Sequence, residues 1–80
     1  MKESNTHKRR ATDLKPKESS VILKFGSEEM SSQFLEIGCR PKSSIQLIRK
    51  GPGGKTMYFL VNSHAFAFRT EEAAHIILKY

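Results

Sequence analysis

The chain is punctuated too often to build anything long. Its longest unbroken aliphatic and aromatic run is Met57-Tyr58-Phe59-Leu60-Val61, and the neighbouring apolar stretches are closed by Gly26, Gly38, Pro41, Gly51-Pro52-Gly53-Gly54 and Asn62-Ser63. A helix that crosses a bilayer needs about 20 consecutive apolar residues, so no segment here is expected to span one. With 80 residues in all, the short elements must share a single core. A hydrophobic content of 38% with 28% charged residues fits one small globular domain carrying a polar tail.

Read in order, the apolar runs alternate between strand and helix. Ser19-Ser20-Val21-Ile22-Leu23-Lys24-Phe25 is a β-rich run stopped by Gly26, which predicts a strand. Ser27 then offers an N-cap, with Glu28 and Glu29 where carboxylates favour the helix dipole. Met30, Phe34, Leu35 and Ile37 fall near one face of a helix over 28–37, and Gly38 suits its left-handed end. Ile45-Gln46-Leu47-Ile48-Arg49 predicts a second strand, and Gly51-Pro52-Gly53-Gly54-Lys55 a loop. Met57-Tyr58-Phe59-Leu60-Val61 and Ala65-Phe66-Ala67-Phe68 flank the two-residue turn Asn62-Ser63, the pattern of a hairpin. Thr70 is placed as the cap of a last short helix with Ala73, Ile76 and Ile77 on its apolar side, and Leu78-Lys79-Tyr80 as a closing strand. A small sheet with such short connections protects its edges by curling. The expected fold is mainly β with short helices, a small SH3-like β-barrel with a helix inserted after the first strand.

Fourteen Lys and Arg against eight Asp and Glu give a net charge of +6, which favours acidic partners such as nucleic acid, an anionic membrane surface or an acidic protein. Residues 1–17 hold six basic and two acidic side chains, a surplus of four. The first residues have almost no apolar side chains to repay the entropy of ordering, so residues 1–12 are expected to be a mobile basic tail and residues 13–80 the domain. The basic start is followed by Ala11-Thr12-Asp13-Leu14-Lys15-Pro16 and no apolar export segment, which predicts a cytoplasmic protein.

Chemistry finds little purchase. Gly-Lys-Thr at 54–56 leads into a β run and lacks the spacing and following helix of a phosphate-binding loop, so it is expected to be a hairpin loop. A Ser/His/Asp hydrolase would need Asp13 beside the tail to meet a histidine and a serine, with no nucleophile elbow. The single cysteine, Cys39, cannot form an internal disulfide, is expected to be a small buried hydrophobe, and has no ligand spacing to His7, His64 or His75. Tyr58, Phe59, Phe66 and Phe68 lie on adjacent strands with only Lys55 and Arg69 at the ends, so they are expected to fill core and not to stack bases. No catalytic, cofactor-binding or metal-binding residue is assigned.

Five pieces in order resemble the FeoA family, ferrous iron transport protein A. They are Asp13-Leu14-Lys15-Pro16-Lys17-Glu18, then Leu35-Glu36-Ile37-Gly38, the turn proline Pro41, the loop Gly51-Pro52-Gly53-Gly54, and Ala67-Phe68-Arg69-Thr70-Glu71-Glu72-Ala73-Ala74-His75-Ile76. Lys17, Lys42 and Ser63 stand where the family has glycine, which predicts type I turns at Pro16-Lys17 and Pro41-Lys42. The resemblance implies an SH3-like fold and a non-enzymatic cytosolic accessory of bacterial ferrous iron uptake. Its implied partner is the cytoplasmic GTP-binding domain of a FeoB-type membrane transporter, to which the transporter would recruit it at the inner face of the membrane. Contact would be made by Leu35 and Gly38 at the helix end and by Pro52, Gly53 and Gly54 at the loop tip, against a purely structural reading in which Leu35 fills core. The competing expectation is an SH3-like adaptor or regulatory module that contacts nucleic acid or another protein through the basic tail. A homo-oligomer is compatible with either.

Overall fold

The computed structural model describes residues 9–80. Strands β1 (Ser19–Phe25), β2 (Ser44–Lys50), β3 (Thr56–Val61), β4 (His64–Arg69) and β5 (Ile76–Leu78) alternate with helices α1 (Glu28–Glu36), after β1, and α2 (Thr70–Ala73), after β4. Short 3-10 turns stand at Ala11–Asp13 and Pro52–Gly54. The chain is mainly β with short helices, and the longer helix follows the first strand. All five strands form one antiparallel sheet in the order β4-β3-β2-β1-β5.

β1 changes partner midway. Ser19, Ser20 and Val21 pair with Gln46, Ile45 and Ser44 of β2, whereas Ile22, Lys24 and Phe25 pair with Leu78, Ile77 and Ile76 of β5. The register slips around Leu23, and β2 slips likewise around Ile48. Such irregularities bend a strand and increase its twist. The sheet therefore curls like a small barrel, yet no ladder joins β4 to β5. Helix α1 fills part of that gap. Its Phe34 ring stacks on Phe25 of β1 with centroids 4.7 Å apart and meets Phe68 of β4 edge-on at 5.2 Å. Met57, Phe59 and Val61 of β3 point into the same core, while Thr56, Tyr58 and Leu60 alternate to the outer face.

The fold begins earlier than the sequence suggested. The Leu78 N–H donates to the Arg9 carbonyl at 2.7 Å, Arg10 forms a β-bridge with Ile77, and Ala11 is fully buried. Residues 9–12, read as tail, thus belong to the domain because they cover the outer side of β5. The rest of the expected tail, residues 1–8, lies outside the described residues. The final elements also shift: Ile76 and Ile77 sit in β5 and not on α2, and Arg69 is the N-cap, its N–H donating to the Glu72 carboxylate at 2.8 Å.

The turns at Pro16-Lys17 and Pro41-Lys42 are not type I. Lys17 (φ 72°) and Lys42 (φ 73°) both occupy the left-handed region that a type II turn demands. The two turn types differ by a flip of the central peptide, and here the sheet chooses the flip. The Lys17 N–H donates to the Leu47 carbonyl at 2.6 Å, and the Lys42 N–H to the Ile22 carbonyl at 2.7 Å. Asn62 (φ 50°) and Ser63 (φ 72°) complete the set as the type I′ turn of the hairpin.

Candidate functional site

Helix α1 begins as its sequence dictates, with the Ser27 hydroxyl accepting from the Met30 N–H at 3.2 Å. It ends in a Schellman motif. The Cys39 N–H reaches back to the Phe34 carbonyl at 2.9 Å and the Gly38 N–H to the Leu35 carbonyl at 3.1 Å, with Gly38 at φ 91°. This turn tucks Cys39 into the core, where burial pushes its thiol up to about 11. It leaves Leu35 outside at 44% exposure and Ile37 at 50%, so neither fills core. The predicted apolar face was too wide: of its four residues only Phe34 is buried, and Met30 packs against the core from the side.

The second predicted group is built by its backbone. The Gly51 N–H donates to the Thr56 carbonyl at 2.7 Å and the Gly54 N–H to the Gly51 carbonyl at 3.1 Å, while Gly53 and Gly54 take φ of 75° and 70°. A Cβ at Gly53 or Gly54 would meet nothing within 4 Å, so the glycines serve backbone conformation and not close approach. The loop is tied to α2, since the Thr70 hydroxyl donates to the Gly54 carbonyl at 2.5 Å and the Thr70 N–H to the Lys55 carbonyl at 2.9 Å.

Between loop and helix lies an open cleft of about 420 Å³ lined by Gly54, Lys55, Thr56, Arg69, Thr70 and Glu71. A smaller one of about 260 Å³ lies between α1 and α2, lined by Met30, Arg69, Glu71, Glu72 and His75. Arg69 and Glu71 border both. Their side chains approach to 3.9 Å while more than three-quarters exposed, a contact worth well under about 1 kcal/mol. Of the five predicted contact residues Gly54 alone lines either cleft, and Leu35 and Gly38 stand at the opposite end of α1 from Met30. The β3–β4 hairpin brings the loop to α2 by pairing Thr56 with Arg69, but the approach of α1 depends on the long-range pairing of Phe25 with Ile76, which sequence spacing could not have revealed.

The aromatic strands divide as the register requires. Phe59 and Phe68 are buried, Phe66 is half-buried against Phe68, and Tyr58 on the outer face is covered by the Arg49 guanidinium 4.4 Å from its ring centre. His64 lies by the hairpin turn, and the His75 ring lies against Gly26, where an added Cβ would come within 2.7 Å of Nδ1. Among the described residues no three His, Cys, Asp or Glu side chains gather closely enough to hold a metal ion. No helix of the described residues is long and apolar enough to cross a membrane.

Solved structures of the same shape are plentiful. A FeoA-like protein from Clostridium acetobutylicum superposes with a TM-score of 0.81 at 15% identity, covering 90% of this chain and 85% of the other. Stenotrophomonas maltophilia FeoA, solved with zinc and described as an SH3 domain protein and a candidate ferrous iron transport activating factor, gives 0.76 at 21% identity over 89% of each chain. A manganese-dependent transcriptional repressor gives 0.77 at 12% identity, covering 89% of this chain but 40% of the repressor. At these identities the likeness establishes the SH3-like fold. No curated protein sequence matches the chain. The FeoA domain profile matches residues 10–80, which begin at the Arg10 bridge and take in every strand and helix described above, and by that match the chain belongs to the FeoA family.

Proposed function

We propose that this protein is a non-enzymatic accessory of ferrous iron uptake that docks on the cytoplasmic GTP-binding domain of a FeoB-type transporter and modulates it. Membership of the FeoA family and the activating role suggested for the Stenotrophomonas maltophilia relative support the assignment. The observation that carries the docking surface is the end of α1. Leu35 and Ile37, two large apolar side chains about half exposed, flank a helix stop whose own stability needs neither of them. Leu35 and Gly38 would form one contact, and the loop tip at Pro52, Gly53 and Gly54 a second. The test is a titration of isotope-labelled protein with the purified GTP-binding domain at physiological salt. Clustered amide shifts at residues 35–41 and 51–54 are expected; shifts confined to other surfaces would refute these contacts. The adaptor reading loses two of its tail cations to the fold, because Arg9 is held by Glu18 and the Arg10 guanidinium donates to the Ala74 carbonyl at 2.7 Å.

A further inference from the structure

The two edges of the sheet are treated differently. β5 is three residues long, and its outer side is covered by Arg9 and Arg10. β4 is six residues long and straight in register along β3, with no slip from Val61–His64 to Thr56–Arg69. Edges left open are normally blunted by proline, a bulge, charged side chains or a covering helix. β4 has no proline and no bulge, and its Arg69 and its contact with α1 at Phe68 both lie at the end away from Ala65. The two-residue turn closes on the Val61–His64 pair, so alternation in an antiparallel ladder turns the N–H and C=O of Ala65 and Ala67 outward. Both residues are exposed, and among the described residues no hydrogen bond reaches those groups. The Arg69 N–H, next along this edge, is taken by Glu72. The small alanine side chains let another backbone approach.

The charge along the strands that flank this edge has one sign, and the nearest carboxylates, Glu71 and Glu72, stand on α2 past its Arg69 end. Residues 37–70 contain Arg40, Lys42, Arg49, Lys50, Lys55 and Arg69 and no Asp or Glu, so they hold six of the chain's fourteen cations and none of its eight acids. The carboxylates of the domain lie on the two helices and in residues 13–18. Arg69 stands on the outer face two residues from Ala67, and Arg49 covers Tyr58, the cross-strand partner of Ala67. A second copy of this chain would bring two acid-free surfaces together. Nucleic acid would want exposed aromatic faces, but Phe66 and Phe68 point inward and Arg49 already occupies Tyr58.

We infer that the β4 edge is a strand-addition site for an extended acidic segment of a partner protein, bonded through the backbone of Ala65 and Ala67 and held by Arg49 and Arg69. Alternation then sets the segment's pattern: acidic side chains on the outer face beside the arginines, apolar ones on the inner face over Phe66. This deepens the docking reading above with a further face and a partner chemistry, and it rests on that reading only for the partner's identity.

The probe is a blocked hexapeptide of alternating Glu and Val, titrated into the full isotope-labelled chain, with a Lys and Val hexapeptide as control. Saturable shifts at Ala65, Ala67 and Arg69 are expected from the acidic peptide alone, with amide exchange at Ala65 and Ala67 slowed at least tenfold. Ala67→Pro deletes an outward N–H that β3 does not use, and should weaken binding at least tenfold. Should that variant not fold, Arg69→Glu, which leaves the backbone intact, should weaken it by a similar factor. No shift at β4 at millimolar peptide, equal binding of the basic peptide, displacement by oligothymidine, or dimerisation through β4 would each overturn the inference. Shifts from the GTP-binding domain at α1 and the loop with none from the peptide would leave the docking reading standing. Peptide binding at β4 with a silent GTP-binding domain would do the reverse.

Discussion

Lys17 and Lys42 spend their backbones in a region that costs an L-residue about 1–2 kcal/mol. They stay there because the alternative strands a carbonyl: flipping either peptide would leave Leu47 or Ile22 without its donor, a loss of about 1–3 kcal/mol. Glycine escapes the steric term but loses more entropy on folding, about 0.4–1 kcal/mol. Lys17→Gly and Lys42→Gly should therefore each raise stability by about 0.5–1 kcal/mol, read as a higher urea midpoint, whereas valine at either position should lower it. A second residue-scale effect is electrostatic. The Glu18 carboxylate takes two bonds from Arg9, at 2.7 and 3.0 Å, and one from the Lys15 N–H at 2.9 Å, and these hold it at about 2, below its ordinary 4.5. A depressed carboxylate stabilises the fold above its unfolded value and loses that contribution as the pH falls through the folded one. Urea midpoints should fall between pH 4.5 and 2, and Glu18→Gln should flatten that part of the profile while lowering the midpoint at pH 7.

At the scale of an element, α1 separates stability from contact. Gly38→Ala forces a Cβ into a left-handed cap and should cost about 1–2 kcal/mol, read by thermal or urea unfolding. Leu35→Asp removes an exposed side chain and should shift stability by no more than about 0.5 kcal/mol while abolishing the amide shifts caused by the GTP-binding domain. Equal stability losses in both variants would show that Leu35 belongs to the core after all. The helix limits were legible because Ser27, Glu28, Glu29 and Gly38 act on their own neighbours. Which of Met30, Phe34, Leu35 and Ile37 faces inward was not, since one short helix touches the sheet along a stripe narrower than its apolar arc. The loop at 51–54 was legible from its glycines alone, but its tether to Thr70 joins residues sixteen apart.

At the scale of the whole molecule, one ring holds the open side of the sheet. Phe34 contacts Phe25 near one end of the strand order and Phe68 at the other, where no ladder forms. Truncating a buried phenylalanine costs about 3–5 kcal/mol, and a core this small supplies about as much in total. Phe34→Ala should accordingly be largely unfolded at 25 °C by circular dichroism, with Leu35→Ala folded beside it as the control.

The sequence by itself determined strands β1 to β4, their hairpin, the caps of α1 and the loop, because each depends on residues a few places apart whose backbone preferences and alternation act locally. It also contained the family's pieces in order, and through them the SH3-like shape. Tertiary structure alone decided that Arg9, Arg10 and Ala11 join the fold, that two lysines accept a left-handed backbone, that Leu35 stands outside and that β4 keeps a bare edge. The first two are settled by hydrogen bonds between distant segments and the last two by which faces and edges the packed sheet leaves without a partner, and neither leaves a mark in the local pattern of the residues concerned.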